Sequence, residues 1–513
     1  MTSSTPPLGP PTVSSTGSIL EVGRNCHERP LCTDSGLLID GHDYYAAFYR
    51  AAQRAEHYLL ISGWQFDHLA RLMRADEVPE GAETRFLPFL EQLCREKPGL
   101  RVYILAWDFS AVFAHEREWF QPVRFHWTSH ERISFRFDSN HPIAGSHHHK
   151  IVVVDGCLAF TGGMDLCTDR WDERDHRRES RWRVNPHGRP YGPYHDIQGV
   201  VAGPVVASLR DFFRERWLAS GGDELILTEP APDAPPLPVE PTVRLGRGRL
   251  AVSRTLGATV SPPQPTVREI RQLYLDAVDS ASALIYLENQ YITSVALLDA
   301  LERRMRAPHR SKLQIAFLLP TQPEKKMEAF AIGVQQARLL ERLKRTARET
   351  GHALRVYCTS PNGSRPSECS TFVHSKLMIV DDRLLIMGSA NTTNRSFGLD
   401  SEVDLVWEAS DDQPHLRHTI RRARVNLLAE HSGARSLADL RALFPIDGLI
   451  DRLDQRVGCC RLFDRDPPNP ETIEGNPIAA IASATVDPEQ AHIEEDLFEV
   501  LESTGWVDRP AGG

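Results

Sequence analysis

The feature that most constrains the fold of this chain is an internal duplication. A His-x-Lys-x4-Asp string occurs twice, as His148-Lys150-Asp155 and His374-Lys376-Asp381, at a constant offset of 226 residues. The same offset brings the apolar run 58–66 (YLLISGWQF) onto 284–292 (LIYLENQYI), and each run follows a stretch with helical periodicity. A repeat of this extent indicates two copies of one structural unit. We therefore expect two similar lobes.

Strand-like and helix-like segments alternate in both copies. Further short apolar runs occur at 102–107, 133–138, 313–320 and 354–358, and amphipathic stretches such as 86–97 and 331–349 separate most of them. This alternation is typical of an α/β architecture with a mixed, largely buried sheet. The sequence therefore predicts two α/β lobes with mixed sheets, related by an approximate two-fold axis, with a single active site between them.

Composition suggests where the lobes begin and end. Residues 1–19 lack a basic segment followed by an apolar one, so they are predicted to be a disordered leader and not a signal peptide. The stretch 229–249 is rich in proline, which cannot donate a backbone hydrogen bond, and is predicted to be a linker. The lobes are accordingly expected at 20–228 and 250–430, followed by a C-terminal segment, 431–513, of unknown role.

Bulk composition fits a folded, soluble protein. Of the 513 residues 41% are hydrophobic, and the formal net charge is -10, whereas a duplex-DNA-binding protein usually carries a basic surplus. No apolar run reaches the roughly 18 residues that a membrane span needs. The nine cysteines include no CxxC pair, which argues against a disulfide framework or a zinc site. We expect a cytoplasmic monomer without a nucleic-acid partner.

Each motif has the pattern of a β-hairpin. In the second copy, 373–380 (VHSKLMIV) is predicted to be a strand, Asp381 to begin a tight turn, and 384–388 to be the returning strand. Residues i and i+2 of a strand project from one face, so His374 and Lys376 would point together. Asp381 would hold backbone amides in the turn. The pairs 162–163 and 388–389 would let the chain pass close to a bound anion.

The doubled motif is similar to that of the phospholipase D superfamily. The segments 160–172 (FTGGMDLCTDRWD), 194–204 (YHDIQGVVAGP), 287–292 (LENQYI) and 389–406 (SANTTNRSFGLDSEVDLV) resemble its lipid-cleaving branch, within a likeness that covers most of residues 20–430. The resemblance implies hydrolysis of glycerophospholipids to phosphatidic acid and a head-group alcohol, at a membrane surface that the protein contacts peripherally. Transfer to an alcohol in place of water is also implied.

The resemblance implies a role for each site residue. One imidazole attacks phosphorus to form a phosphohistidine, and the other protonates the leaving alcohol and then deprotonates the incoming water or alcohol. By analogy His148 is the nucleophile and His374 the general acid and base. Lys150 and Lys376 would neutralise the phosphoryl oxygens, so neither a metal nor another cofactor is expected. The predicted catalytic set also includes Asp155 and Asp381, with Asn391, Ser389 and Gly163 binding substrate, Glu402 holding His148 and Asp196 holding His374.

Other functions remain open at this stage. A cardiolipin synthase-like phosphatidyltransferase belongs to the same superfamily, although such enzymes usually carry N-terminal membrane helices. Superfamily nucleases are typically short chains with one motif that dimerise, and no basic, aromatic groove is evident here. A scaffold without catalysis is disfavoured because both motifs are complete.

Three further features are weaker. The run His147-His148-His149 does not predict a metal site, because adjacent strand residues face opposite sides. The aromatic stretch 106–122 is interpreted as a core helix, or alternatively as an acyl-chain groove. Asp165 aligns with Asn391 in the repeat, but an ionised aspartate cannot donate a hydrogen bond to phosphate, so it is left out of the predicted site.

Overall fold

The computed structural model describes residues 17–108, 130–142, 144–228, 239–260, 263–321, 326–362, 370–457, 462–464 and 487–488. Strands and helices alternate in two similar lobes, and the predicted α/β fold is confirmed. Most of the aromatic stretch 106–122 and of the predicted leader lies outside the described residues.

The first lobe contains these strands and helices: β1 Leu31–Cys32, β2 Asp34–Ile39, α1 Asp40–Arg54, β3 Tyr58–Gly63, α2 Phe86–Glu96, β4 Arg101–Trp107, β5 Ile133–Asp138, β6 Ile151–Val154, β7 Leu158–Gly162, β8 Tyr194–His195, β9 Ile197–Ala202, α3 Val205–Ala219, β10 Val243–Arg244 and β11 Gly248–Arg249.

The second lobe and the segment after it contain these: β12 Ala251–Leu256, β13 Thr259–Val260, β14 Pro263–Gln264, β15 Val267–Arg268, α4 Glu269–Ser280, β16 Leu284–Glu288, α5 Val295–Arg306, β17 Gln314–Leu318, α6 Lys326–Thr350, β18 Ala353–Thr359, β19 Phe372–Val373, β20 Leu377–Val380, β21 Leu384–Gly388, α7 Asn394–Gly398, β22 Glu402–Glu408, α8 Pro414–Ser432, α9 Leu437–Leu443, α10 Leu449–Asp454 and β23 Leu462–Asp464.

The two large sheets repeat one strand order. The first runs β2-β9-β7-β6-β3-β4-β5 and the second β12-β22-β21-β20-β16-β17-β18. In each sheet the last three strands of that series are parallel, and the motif hairpin β6-β7 or β20-β21 pairs antiparallel beside them. The duplication seen in the sequence is therefore also a duplication of topology.

Two segments outside the predicted lobes take part in sheet pairing. Within 229–249, β10 pairs with β2 and β11 pairs with β1, which the proline content of that stretch did not predict. Within 431–513, β23 adds to the edge of the second sheet beside β18. Helix α8 runs across the predicted boundary at residue 430. The domain boundaries themselves stay a prediction.

The buried apolar side chains form three layers. One cluster packs α1 and α2 onto the first sheet, and another packs α4, α5 and α6 onto the second. The third lies between the sheets and contains residues of both lobes, such as Ile197, Met387 and Leu405. Because both faces of each sheet are covered, β6 and β20 are continuous apolar runs and do not alternate.

Within the described ranges, no helix has both the length and the hydropathy of a membrane span. The six cysteines found in these ranges are all free thiols.

Candidate active site

The histidine and lysine of each motif lie just before the hairpin. Residues 148–150 and 374–376 precede β6 and β20, so the predicted strand 373–380 begins too early. Their backbone pairs with the opposite lobe: the amide of His148 donates to the Ser401 carbonyl (3.0 Å), and that of His374 to the His195 carbonyl (2.8 Å). Each motif is therefore anchored across the interface between the lobes.

The motif aspartates lie at the other end of the hairpins. Asp155 accepts the backbone amides of residues 56, 57 and 58 at 2.7–2.9 Å, and Asp381 accepts those of residues 282, 283 and 284 at 2.7–2.8 Å. Each carboxylate thus fastens the junction between a helix and the strand beside its hairpin. This agrees with the expectation that they hold backbone amides, and we propose this structural role for them in place of the predicted catalytic one.

A carboxylate of the second lobe holds the imidazole of His148. Nδ1 lies 3.1 Å from both oxygens of Glu402 and 3.0 Å from the carbonyl oxygen of Ser389. A carbonyl oxygen only accepts, so Nδ1 carries the proton and Nε2 keeps its lone pair. The hydroxyl of Ser389 donates to Glu402 (2.5 Å) and fixes that carboxyl in turn.

Burial dominates the electrostatics of this pair. Burial, together with the ammonium groups of Lys150 and Lys376, holds the pKa of His148 well below its usual range. Burial also raises the pKa of Glu402 to about 8, with a smaller contribution from the nearby Asp400 carboxylate. The imidazole is therefore neutral at pH 7, which is the form that a nucleophile needs.

A carboxylate of the first lobe holds the imidazole of His374. Its Nδ1 lies 2.7 Å from Asp196 Oδ2, and the other oxygen of Asp196 accepts the amide of Ile197 (2.8 Å). Burial raises the pKa of Asp196, and the Lys376 ammonium opposes that rise. The ring of Tyr194 lies against His374 with centroids 5.5 Å apart. The two imidazoles are therefore held in the same way, each by the opposite lobe.

Two residues predicted to bind substrate contact these carboxylates. A Cβ added at Gly163 would lie 2.2 Å from Asp196 Oδ1, so only glycine leaves room for that carboxylate. Ser389 is fully buried and its hydroxyl is committed to Glu402. We therefore revise their predicted role: both shape the carboxylates that hold the imidazoles, and neither side chain is available to a ligand.

The two lysines fold back onto their own motifs and differ in their partners. Lys150 Nζ donates to the carbonyl of His148 (2.7 Å) and lies 3.3 Å from Asp165 Oδ2. Lys376 Nζ donates to the carbonyl of His374 and to Gln290 Oε1, the latter at 3.2 Å. Sequence reasoning missed both partners. Alignment of Asp165 with Asn391 was the signal that could have found the first.

The pKa of Lys376 links the two halves of the site. Burial lowers it to about 7; Lys150 and Arg170 add to the decrease, whereas Asp196 and Glu402 oppose it. Charged groups of both lobes therefore act on one lysine, as expected for a single site between the lobes.

Asn391 is the remaining predicted substrate contact. It is 7% exposed, and its Oδ1 has no hydrogen-bond partner in the part of the chain that the structure describes. Buried amide oxygens are normally paired. This one is an acceptor and could not bind a phosphoryl oxygen, so the contact of Asn391 with substrate stays a prediction. The guanidinium of Arg170 lies 4.9 Å from the centre of the Tyr194 ring, which also lies against the imidazole of His374.

Several groups of described residues are of types that can bind metals, among them His195, Glu288 and His431. The flanking imidazoles of His147 and His149 both contact the hydroxyl of Ser401. Separately, one potential ligand atom from each of four buried residues lies within 4.8 Å of the others: Asp40, His176, His195 and Glu430. In this four-residue cluster each imidazole nitrogen is 2.8–3.1 Å from a carboxylate oxygen, so protonated imidazoles already balance its charge.

Known proteins resemble this chain over most of its length. A family model described as "Cardiolipin synthase, PLD-like domain" matches residues 274–423. A cardiolipin synthase from Geobacillus thermodenitrificans is 24% identical over 391 residues, covering 74% of this chain and 63% of that protein. Phospholipase D alpha 1 of Carica papaya is 24% identical over 525 residues, covering 78% and 65%. The chain thus spans a little under two thirds of the length of these relatives.

Among solved structures, a phosphatidylserine synthase from Haemophilus influenzae covers 84% of this chain and 94% of its own, at a TM-score of 0.49 and 14% sequence identity.

Proposed function

Because the chain belongs to the phospholipase D superfamily, we propose that it hydrolyses glycerophospholipids to phosphatidic acid and a head-group alcohol. One observation carries the proposal: two imidazoles, one from each lobe, are held at Nδ1 by a carboxylate of the opposite lobe. This arrangement uses the Nδ1 atom of each imidazole, and the lysines of both motifs are buried as well. It suits a phosphodiester, which presents an electrophilic phosphorus surrounded by anionic oxygens.

In the proposed reaction, His148 Nε2 attacks phosphorus while the bond from phosphorus to the head-group oxygen breaks. His374 gives the leaving oxygen its proton, and a phosphohistidine remains. Neutral His374 then takes a proton from water, the water oxygen bonds to phosphorus, and the bond to His148 breaks. The ammonium groups of Lys150 and Lys376 would stabilise the negative charge that builds up on the phosphoryl oxygens.

The lipid substrate is inferred from relatives. The printed names of the similar proteins, phospholipase D and cardiolipin synthase, point to phospholipids. We propose a phospholipid at a membrane surface as the first substrate, water or an alcohol as the second, and a monomeric enzyme that contacts the membrane peripherally.

Phosphatidyl transfer is the second candidate, favoured by the match to the cardiolipin synthase family and by relatives of that name at the same 24% identity. The two functions share every step up to the phosphohistidine. They differ in whether water or an alcohol reaches it, because the same general base can activate either acceptor.

The test is to incubate the full chain with phosphatidylcholine vesicles, phosphatidylglycerol vesicles and single-stranded DNA in parallel. Choline release with formation of phosphatidic acid supports hydrolysis. Cardiolipin from phosphatidylglycerol, with little phosphatidic acid, supports transfer instead. Cleavage of DNA alone would exclude both lipid functions.

Acid-quenched reactions can assign the two imidazoles. His148→Ala should abolish the covalent phosphoenzyme, whereas His374→Ala should still form it from a substrate with an acidic leaving alcohol. His418→Ala, at an exposed histidine on α8, is the matched control and should behave as the unmodified chain. The opposite pattern would reverse the two roles.

A further inference from the structure

Each catalytic imidazole forms a pair with its holding carboxyl group, His148 with Glu402 and His374 with Asp196. The residues next to these in the chain also contact one another. Neighbours in an extended chain alternate in direction, so the residue between the histidine and lysine of each motif points away from the site. That residue is His149 in the first motif and Ser375 in the second, and both are buried. The residues before the two holding carboxylates, His195 and Ser401, are buried as well. His149 contacts Ser401 directly, and Ser375 is connected to His195 through Glu288.

The connection behind His148 is a chain of neutral groups, which we name the neutral brace: His147, Ser401 and His149. Nε2 of His147 faces the guanidinium of Arg216 at 2.6 Å and, at a longer 3.3 Å, the carboxylate oxygen Oδ2 of Asp138. Because the closer guanidinium only donates, we place the proton of His147 on Nδ1. Nδ1 donates to Ser401 Oγ (2.8 Å), and the same hydroxyl forms a hydrogen bond with Nδ1 of His149 (2.9 Å). Burial lowers the pKa of His147 to about 4, in keeping with a neutral ring.

The same groups also hold the backbone. The carbonyl of Ser401 accepts the amides of both His148 and His149 at 3.0 Å. Glu402, the next residue, binds the imidazole of His148. The first motif therefore contacts the start of β22 in two ways, through the pair of His148 with Glu402 and through the neutral brace.

The connection behind His374 is ionic, and we name it the charged brace: Ser375, Glu288 and His195. Oγ of Ser375 and Nε2 of His195 both donate to Glu288 Oε2, at 2.7 and 2.9 Å. Nδ1 of His195 faces carboxylate oxygens of Asp40 (2.8 Å) and Glu430 (2.9 Å). Both ring nitrogens thus donate to carboxylates, and His195 is an imidazolium.

We propose that the two braces are positioning devices, the neutral brace for His148 and the charged brace for His374. Each sets the distance between a motif and the strand whose carboxylate holds the catalytic imidazole. The inference rests on the proposed function, because it assigns the braces to separate steps of that reaction. None of the brace residues needs to contact the substrate.

The leaving group of the substrate can separate the two steps. An acidic alcohol such as p-nitrophenol leaves without a proton, so its release depends on the nucleophile and little on the general acid. The experiment therefore measures the rapid release of p-nitrophenol from phosphatidyl-p-nitrophenol, and separately the turnover of phosphatidylcholine. It compares Ser401→Ala and Ser375→Ala in the full chain.

The expected results differ between the two variants. Ser401→Ala should slow the p-nitrophenol burst and the choline turnover alike, by about 10- to 100-fold, as losses of supporting contacts typically do. Ser375→Ala should slow choline turnover by a similar factor but leave the burst nearly unchanged. Ser375→Thr, which keeps the hydroxyl, should recover most of the turnover.

Ser35→Ala is the matched control. Ser35 is a fully buried serine that also connects the lobes, accepting from Trp407 Nε1 (3.0 Å) and donating to the Gly246 carbonyl (2.7 Å). It lies opposite Val201, toward the end of β9 remote from Asp196. If the brace variants slow no step more than Ser35→Ala does, the proposal is overturned. If Ser375→Ala slows the p-nitrophenol burst and Ser401→Ala leaves it nearly unchanged, the braces are supported and the roles of the two imidazoles are reversed.

A measurement without turnover keeps this proposal separate from the proposed function. Imidazole ¹⁵N spectra of the unliganded chain should show that Ser375→Ala shifts the signals of His195 and His374, and that Ser401→Ala shifts those of His147, His148 and His149. Unchanged signals from the catalytic imidazoles would overturn the braces, even if the protein cleaved no diester at all. One equivalent of bound metal ligated by His195 would overturn the charged brace, since Nδ1 would not then donate.

Discussion

Lys376 is the residue whose charge responds most directly to a bound anion. Its pKa is lowered to about 7 from 10.5 by burial and by Lys150. A phosphoryl group would favour the charged form and raise that pKa again. The contribution of Lys376 to folding stability should therefore rise from pH 7 to pH 10.5, where the unfolded chain holds a proton that the folded chain lacks.

We expect binding of tungstate, a tetrahedral oxyanion, to take up close to one proton per site at pH 8. Calorimetric titrations in two buffers of different ionisation enthalpy measure that number. Lys376→Met should remove the uptake, and Lys312→Met, at an exposed lysine, should leave it unchanged. Binding of tungstate to the unmodified chain without proton uptake would contradict the depressed pKa.

Gly163 is a second residue whose identity is dictated by a close contact. An alanine there would bring Cβ within 2.2 Å of Asp196 Oδ1 and push away the carboxylate that holds His374. We expect Gly163→Ala to lower the unfolding free energy by about 1–3 kcal/mol, as overpacking does, and to reduce turnover strongly. Gly192→Ala is the control, because a Cβ at Gly192 meets nothing within 4 Å. Equal behaviour of the two variants in denaturant titrations and turnover would argue against the contact.

At the scale of elements, each motif hairpin is fastened at both ends. The catalytic end pairs with the opposite lobe, whereas the turn end belongs to its own lobe through Asp155 or Asp381. Both aspartates have positive φ, 47° and 54°, in the left-handed region. In each motif the histidine and lysine precede a strand and form the proposed site, whereas the aspartate follows that strand and stabilises the fold.

This division predicts the behaviour of Asp155→Asn and Asp381→Asn. Asparagine tolerates the left-handed backbone but loses the charged acceptor of three backbone amides. The unfolding free energy should fall by about 1–3 kcal/mol in each case, since hydrogen bonds to charged groups are among the stronger ones. Turnover by the folded protein should stay within about twofold of the original, which is the opposite of what a catalytic residue would show.

Denaturant titrations and initial rates at a temperature well below unfolding measure the two effects. The control is Asp411→Asn on the surface, where the carboxylate only faces Arg417 at 3.4 Å, and stability should not change. A loss of turnover in the folded Asp155 or Asp381 variant would return these residues to the catalytic set.

At the scale of the whole molecule, the two lobes depend on each other. The central apolar cluster contains residues of both sheets, and each catalytic imidazole is held from across the interface. Neither half contains a finished site. The chain should therefore behave as one cooperative body even if its covalent connection is cut.

A protease site inserted within 229–238 tests this expectation. After cleavage, the halves should co-elute at the mass of the intact chain and retain turnover, because the shared core and the cross-lobe hydrogen bonds remain. The uncut insertion variant is the control. Separation of the halves on gel filtration under native conditions would show that the interface is weaker than its burial suggests.

The sequence by itself was sufficient for the duplicated α/β fold, for several central strands and helices of each lobe, and for the two histidines and two lysines of the motifs. It also suggested Asp196 and Glu402 through a family resemblance. These features depend on local periodicity and on a repeat offset, both of which are visible along the chain.

Only the tertiary structure decided how those residues meet. The backbone amides of His148, His149 and His374 donate to carbonyl groups of the other lobe, and the imidazole of His148 reaches Glu402 across 254 positions. The contacts of Gly163 with Asp196 and of Ser389 with Glu402 arise where neighbouring strands of one sheet end, β7 beside β9 and β21 beside β22. Ser401, Glu288 and His195 lie in segments that resemble the family, but their contacts could not be read from the sequence, since a hydrogen bond between distant segments has no local pattern to reveal it.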